Sequence, residues 1–144
     1  MTQDEEALFK AIRENNVGTV DRLLEACTIN VNTVNMEGDT PLIHAANYNR
    51  KEIITQLLLD KGADVNVINE AGVTALMCAA NNGRIEIVEL LIEKGANINV
   101  TDEEGETALI KAVCGEHDET VKFLLERGAK DIDGSARVLL DLFK

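Results

Sequence analysis

The sequence predicts an all-α repeat solenoid: a stack of antiparallel helix pairs with β-hairpin-like finger loops. Three observations lead there. A seven-residue segment recurs at a fixed spacing, a glycine-centred segment recurs in step with it, and the apolar residues are almost all aliphatic. Thr40-Pro41-Leu42-Ile43-His44-Ala45-Ala46 returns as Thr74-Ala75-Leu76-Met77-Cys78-Ala79-Ala80 and as Thr107-Ala108-Leu109-Ile110-Lys111-Ala112-Val113, with the threonines 34 and 33 residues apart. Lys61-Gly62-Ala63-Asp64-Val65-Asn66 returns as Lys94-Gly95-Ala96-Asn97-Ile98-Asn99 and as Arg127-Gly128-Ala129-Lys130-Asp131-Ile132, with the glycines 33 apart each time. A degenerate copy precedes them: Glu6 to Ile12, then Leu23-Leu24, then Val31-Asn32. Two segments keeping one period over most of a chain mark a repeat architecture.

Each element has a local reason. Thr2 and Glu5 have capping-box spacing and start the first helix, whose Lys10, Arg13 and Glu14 suit an exposed end unit. Thr40 is a good N-cap because its hydroxyl accepts an orphan backbone N–H. Pro41 follows where its missing N–H costs nothing. Leu42, Ala45 and Ala46 make a short apolar stripe, and the paired alanines admit a neighbouring helix closely. Asn49 or Gly83 can end that helix in the left-handed conformation. Second helices carry Ile53, Ile54, Leu57 and Leu58, then Ile87, Val88, Leu91 and Ile92, and stop at Gly62 and Gly95. The segment 64–74 reads as an extended finger folding back at Asn69-Glu70-Ala71-Gly72. Segment 135–143 reads as a terminal cap, with Val138, Leu139, Leu142 and Phe143 covering the last unit. One domain of residues 1–144 is expected, divided near 2–32, 33–66, 67–99 and 100–132 with a cap at 133–144. No unit can bury its apolar face alone, so stability must come from neighbours.

Composition removes several classes of function. The chain has 144 residues, a formal net charge of −12 and only 3% aromatics. Phosphate backbones repel such a chain where no basic patch is set apart, and there are few rings for base stacking, so no nucleic-acid partner is expected. No apolar run approaches a membrane span, and the acidic start does not read as a secretory signal. Cys27, Cys78 and Cys114 are odd in number and far apart, which fits a reducing cytoplasm better than a disulfide framework. A monomer without cofactor is expected. Asp102-Glu103-Glu104-Gly105-Glu106 lacks the ligand spacing of a calcium loop. Cys114 and His117 lack a third group to orient the histidine, so they read as a partly buried cysteine and a surface histidine rather than a nucleophile and its base.

The quoted segments resemble the ankyrin repeat, whose unit of about 33 residues carries T-P-L-H-x-A-A and G-A-D-V-N. Residues 40–46 and 62–66 match best, and the resemblance covers about 2–143: four helix-pair repeats, the first serving as N-terminal cap, plus a short C-terminal capping helix. There are departures. Ile43, Met77 and Ile110 stand where the family's histidine bonds the neighbouring loop, so that ladder is expected to be missing and van der Waals packing to carry more. Units one and two each have one extra residue, placed near 26–30 and 59–61. Glu116 stands where Gly83 does, and Gly115 is expected to serve in its stead.

The resemblance implies a protein–protein interaction module, an adaptor or inhibitor rather than an enzyme. The alternative is a small enzyme or metal-dependent protein on the same scaffold. The implied concave binding surface is Met36, Glu37, Asp39, Asn47 and Tyr48, then Glu70, Ala71, Val73, Asn81 and Asn82, then Glu103, Glu104, Glu106 and Cys114. The fingers at 31–40, 64–74 and 97–107 hold eight carboxylates (Glu37, Asp39, Asp64, Glu70, Asp102, Glu103, Glu104, Glu106) and no Lys or Arg. Arg50, Lys51, Lys61, Arg84, Lys94, Lys122 and Arg127 fall on or beside second helices. A rim of one sign favours a partner of the other, so a basic surface or Lys/Arg-rich segment is the expected partner. Tyr48 is a candidate anchor, since tyrosine is enriched at interface hot spots.

Overall fold

The computed structural model describes residues 1–26, 28–48 and 52–142, without the side chains of 139, 140 and 142. Nine helices run through these residues: α1 (Gln3–Arg13), α2 (Val17–Glu25), α3 (Pro41–Tyr48), α4 (Glu52–Asp60), α5 (Ala75–Asn81), α6 (Ile85–Glu93), α7 (Ala108–Cys114), α8 (Asp118–Glu126) and α9 (Ser135–Leu142). They pair as α1–α2, α3–α4, α5–α6 and α7–α8, with α9 closing the end against α7 and α8. First helices form one row and second helices another.

The helix starts obey one rule. Thr40, Thr74 and Thr107 each accept the N–H three residues on, from Ile43, Met77 and Ile110, at 3.2 Å in every case. Thr2 and Glu5 complete the capping box reciprocally. The first helices then pack through fully buried alanines: Ala45 and Ala46, Ala79 and Ala80, and Ala112. The second helices meet through the larger Ile54, Leu58, Ile87, Leu91, Val121 and Leu124. Small residues in one row and large ones in the other let neighbouring first helices approach more closely than neighbouring second helices do.

A hydrogen-bond ladder joins the units, although the family's histidine is absent. Asn32 Oδ1 accepts from the Asp64 N–H at 2.8 Å, and its Nδ2 donates to the Gly62 carbonyl at 3.5 Å. Asn66 does the same to Asn97 and Gly95 at 2.8 and 3.1 Å, and Asn99 to Lys130 and Gly128 at 2.9 and 3.1 Å. The last residue of the G-A-D-V-N segment thus clamps the glycine turn of the following unit. The sequence had suggested that van der Waals packing would carry more in the absence of that histidine; these asparagines supply a ladder of bonds between units in its place. Glu5, read only as a cap residue, also joins elements: it accepts from the Thr33 hydroxyl at 2.9 Å and the Asn30 N–H at 3.4 Å.

The fingers fold back as hairpin-like turns, closed by the Asn35, Asn69 and Asp102 N–H groups donating to the Asp39, Val73 and Glu106 carbonyls at 3.0 Å each; among the described residues none is a strand. Other expectations need correction. The turn after α4 has the same bonds as that after α6: Lys61 N–H to Leu57, Gly62 N–H to Leu59 and Ala63 N–H to Leu58 match Lys94 to Leu90, Gly95 to Ile92 and Ala96 to Leu91. The extra residue of unit two therefore does not lie at 59–61; instead α3 is one residue longer than α5 or α7. Gly115 is an ordinary right-handed residue (φ −84°), while Glu116 itself takes the left-handed conformation at φ 58°, as Asn15 does at φ 54°. Asn49 lies outside the described residues. In the cap, Val138 is 62% exposed, and it is Ala136 that is buried against the fourth unit; Asp131 holds α9 by accepting from the Ala136 and Arg137 N–H groups at 3.1 Å each.

Two stability measurements check this account. Asn66→Ala removes two inter-unit bonds and should cost about 1–2 kcal/mol in urea unfolding, at roughly 1 kcal/mol per bond, whereas Asn47→Ala should be near neutral. Glu116→Gly relieves a left-handed non-glycine residue and should stabilise by about 0.5–1 kcal/mol.

Candidate functional site

The fingertips are built by one repeated side chain. Asn35 Oδ1 accepts from the N–H groups of Glu37 and Asp39, Asn69 Oδ1 from Ala71 and Val73, and Asp102 Oδ1 from Glu104 and Glu106, all at 2.9–3.0 Å. Each tip closes with a glycine N–H, of Gly38, Gly72 or Gly105, donating back to that residue's carbonyl at 3.0 Å. These glycines have φ between 76° and 78°. A Cβ on Gly38 would also come within 3.0 Å of the Glu70 nitrogen, and one on Gly72 within 3.2 Å of the Glu103 nitrogen. Bare tips let each finger lie on the next, with the Glu70 N–H donating to the Glu37 carbonyl and the Glu103 N–H to the Ala71 carbonyl. The tips form one continuous edge.

Along that edge the side chains divide into two groups. Met36, Glu37, Asn47, Tyr48, Glu70, Ala71, Asn81, Glu103, Glu104 and Cys114 are exposed. Others are used internally. Asp39 is only 5% exposed and accepts from Asn69 Nδ2 at 2.9 Å. Glu106 and Asp102 share Lys111, whose Nζ lies 3.3 and 2.8 Å from them. Val73 is half-buried against the core. Asn82 Nδ2 donates to the carbonyls of Ala46 and Asn47 in the preceding unit at 3.4 and 3.2 Å. The eight finger carboxylates therefore do not make one uniform field. Asp39 is withdrawn, Asp102 and Glu106 are matched by a lysine from α7, Asp64 accepts from the Asn66 N–H at 2.9 Å at the base of its finger, and Glu37, Glu70, Glu103 and Glu104 remain as the exposed tip charge. Burial raises the Asp102 pKa, but the hydrogen bond from Lys111 and those from the finger backbone bring it below the ordinary carboxylate value. Burial likewise opposes the Lys111 charge, but the hydrogen bonds and charges of Asp102 and Glu106 together outweigh it and hold its pKa above the ordinary lysine value. Arg50 and Lys51 lie outside the described residues.

The N-terminal end of the face carries an aromatic cluster that the sequence did not announce. His44 is buried, its ring 5.2 Å from Phe9 edge-on and 4.7 Å from Tyr48, with Arg13 Nη1 3.5 Å from its Nε2. Tyr48 stays 52% exposed, and Met36 at 95% exposure does not pack against it. Beside them Phe9, Arg13, Glu6, Met36 and Glu37 line a cleft of about 290 Å³. Burial, then the Arg13 charge, lower the His44 pKa to about 4 against the pull of Asp39.

Cys114 and His117 exchange the roles expected of them. Cys114 is exposed, while the His117 ring is wedged between Gly83 and Gly115 with Nε2 2.9 Å from the Asn81 carbonyl. The histidine is a joint between units three and four. Burial pushes the Cys78 thiol up to about 12. Among the described residues no group of three or more His, Cys, Asp or Glu is placed to hold a metal ion, and no helix is long and apolar enough to cross a membrane.

A stack of helix pairs with bare-tipped, edge-linked fingers defines a repeat-type binding scaffold. The family model for ankyrin repeats (3 copies) matches residues 1–69 and 54–135, and the chain belongs to that family. Ankyrin repeats are generally protein–protein interaction modules and typically not enzymes.

A histidine with a lowered folded pKa is neutral in the fold and binds a proton more readily when unfolded, so stability declines as pH falls below 6.5 toward 4. His44→Gln should flatten the decline between pH 6.5 and about pH 5, a range in which ordinary carboxylates stay mostly ionised. Urea unfolding at the two pH values, compared with the parent chain, is the check.

Proposed function

We propose that this chain docks on a basic surface or Lys/Arg-rich segment of a partner protein through its finger edge and first-helix face, as an adaptor or inhibitor. The observation that carries the reading is the residual charge of the tips. Glu37, Glu70, Glu103 and Glu104 are exposed, and the nearby Lys111 is committed to Asp102 and Glu106. Charges of one sign on a common edge steer an opposite partner and set its register. Tyr48 and Met36 add exposed apolar surface beside that charge, in keeping with an interface whose anchors are few and flanked by polar groups. Asn47 and Asn81 supply hydrogen-bonding groups on the same face. Asp39, Glu106, Val73 and Asn82 support this surface from behind. The widely spaced cysteines and high negative charge fit a monomer in a reducing, cytoplasmic setting.

The test is charge reversal at the third tip. Glu103→Lys/Glu104→Lys should weaken binding to a partner captured from the source cell by about tenfold or more at low salt and flatten the salt dependence, since exposed charges beyond about 10 Å are screened at 0.1 M. Glu106→Gln, already shared with Lys111, should change affinity little. An unchanged affinity and salt slope in the double variant would refute the proposal.

A further inference from the structure

The second-helix side of the stack carries a concavity of about 410 Å³ between α4 and α6, lined by Glu52, Ile53, Gln56, Glu86, Glu89, Leu90 and Glu93. It is separate from the finger edge and shares no residue with it. Ile53 is 50% exposed and Leu90 half-buried, so the groove offers apolar surface to a ligand. On α6, residues 86, 89, 90 and 93 follow i, i+3, i+4, i+7 spacing and form one stripe. Gln56 already donates to Asp60 at 2.7 Å. The four glutamates line the groove, and among the described residues none of them is in an ion pair.

Folding explains only part of this charge. Glu52 and Glu86 sit in first turns, where the helix dipole favours a carboxylate. Glu93 sits at the opposite end of α6, where the dipole disfavours it. Glu89 has like charge three residues before it and four residues after it, and such pairs weaken a helix. Glu89 and Glu93 therefore oppose the stability of the free protein while surrounding an open apolar groove.

We infer that this groove docks a short basic segment of a partner protein in which an apolar side chain is flanked by lysines or arginines. The apolar side chain rests on Ile53 and Leu90, and the flanking cations meet the glutamates. Charge complementarity selects this occupant. A second copy of the chain, with net charge −12, would bring repulsion to the same place. The groove accommodates side chains rather than a folded surface, so its partner element is a peptide, and the finger edge stays free while it is occupied.

The experiment titrates the whole chain with the peptide acetyl-Lys-Lys-Leu-Lys-Lys-amide by NMR, at about 0.1 M salt to screen long-range attraction. Amide shifts should concentrate in α4 and α6. Glu89→Gln/Glu93→Gln should weaken binding by about fivefold, as expected for two exposed pairs, and should raise the thermal midpoint of the free protein. A purely structural role would not give opposite changes in affinity and stability. Glu103→Gln/Glu104→Gln should leave the α4–α6 shifts intact, and a peptide with serine in place of leucine should bind more weakly. Shifts spread over every acidic surface, equal binding of the serine peptide, or unchanged affinity in the α6 variant would each overturn the inference. So would α4–α6 shifts that grow with protein concentration in the absence of peptide, which would make a second copy the occupant.

Discussion

A pair of short helices has more apolar surface than its own contact can hide, and the remaining structure answers that constraint. Neighbouring pairs cover one another, and they can do so closely only because buried alanines line the first helices while leucine and isoleucine fill the second row. Closeness alone does not set register. Asn32, Asn66 and Asn99 do that, each spending its amide on the glycine turn of the unit that follows. Asn82 and His117 add a second set of joints at the loops between paired helices. Stability is therefore distributed over interfaces.

The same stacking decides which surfaces are free. Fingers lie edge to edge because their tip glycines leave room for the next backbone, so whatever projects from the tips forms a line. Part of the acidity there is structural. Asp102 organises its own turn through backbone N–H groups and holds Lys111, which in turn occupies Glu106. In the preceding finger Asn69 stands at the Asp102 position and reaches Asp39 instead. One repeat position thus serves as a neutral link in one place and as an ion pair in another. The acidic groove behind the stack has no comparable structural use for Glu89 and Glu93, and that contrast separates surface charge with a folding role from charge available to a partner.

Much of the fold was legible from the chain because repetition exposes local rules. A threonine three residues before the N–H that it caps, a glycine after α4, α6 and α8, and an Asn-x-x-Gly or Asp-x-x-Gly tip each act within a few residues, and each recurs. Errors arose where a residue's role lies in another unit or where local alternatives are nearly equal. Gly115 and Glu116 both sit at a helix end, and it is Glu116 that becomes left-handed, at the same place in its unit as Asn15 and Gly83. Val138 has the right chemistry for a core position, yet α9 approaches the stack with Ala136 inward, so the valine faces solvent. The candidate face was visible only as a set of positions; which of its members are occupied internally was not.

By itself the sequence determined the period, the helix starts and stops, the aliphatic core and the family, because those follow from spacing and from bonds that close within one unit. Only the tertiary structure decided that the asparagines form the ladder between units, that Asp39, Asp102 and Glu106 are committed inside the finger edge, and that four glutamates meet around Ile53 and Leu90. The asparagine ladder, the Asn69–Asp39 bond and the groove join residues about one repeat apart, so their partners are chosen by how one layer settles on the next; the Lys111 pairs with Asp102 and Glu106 close within one unit, where the finger packs on α7.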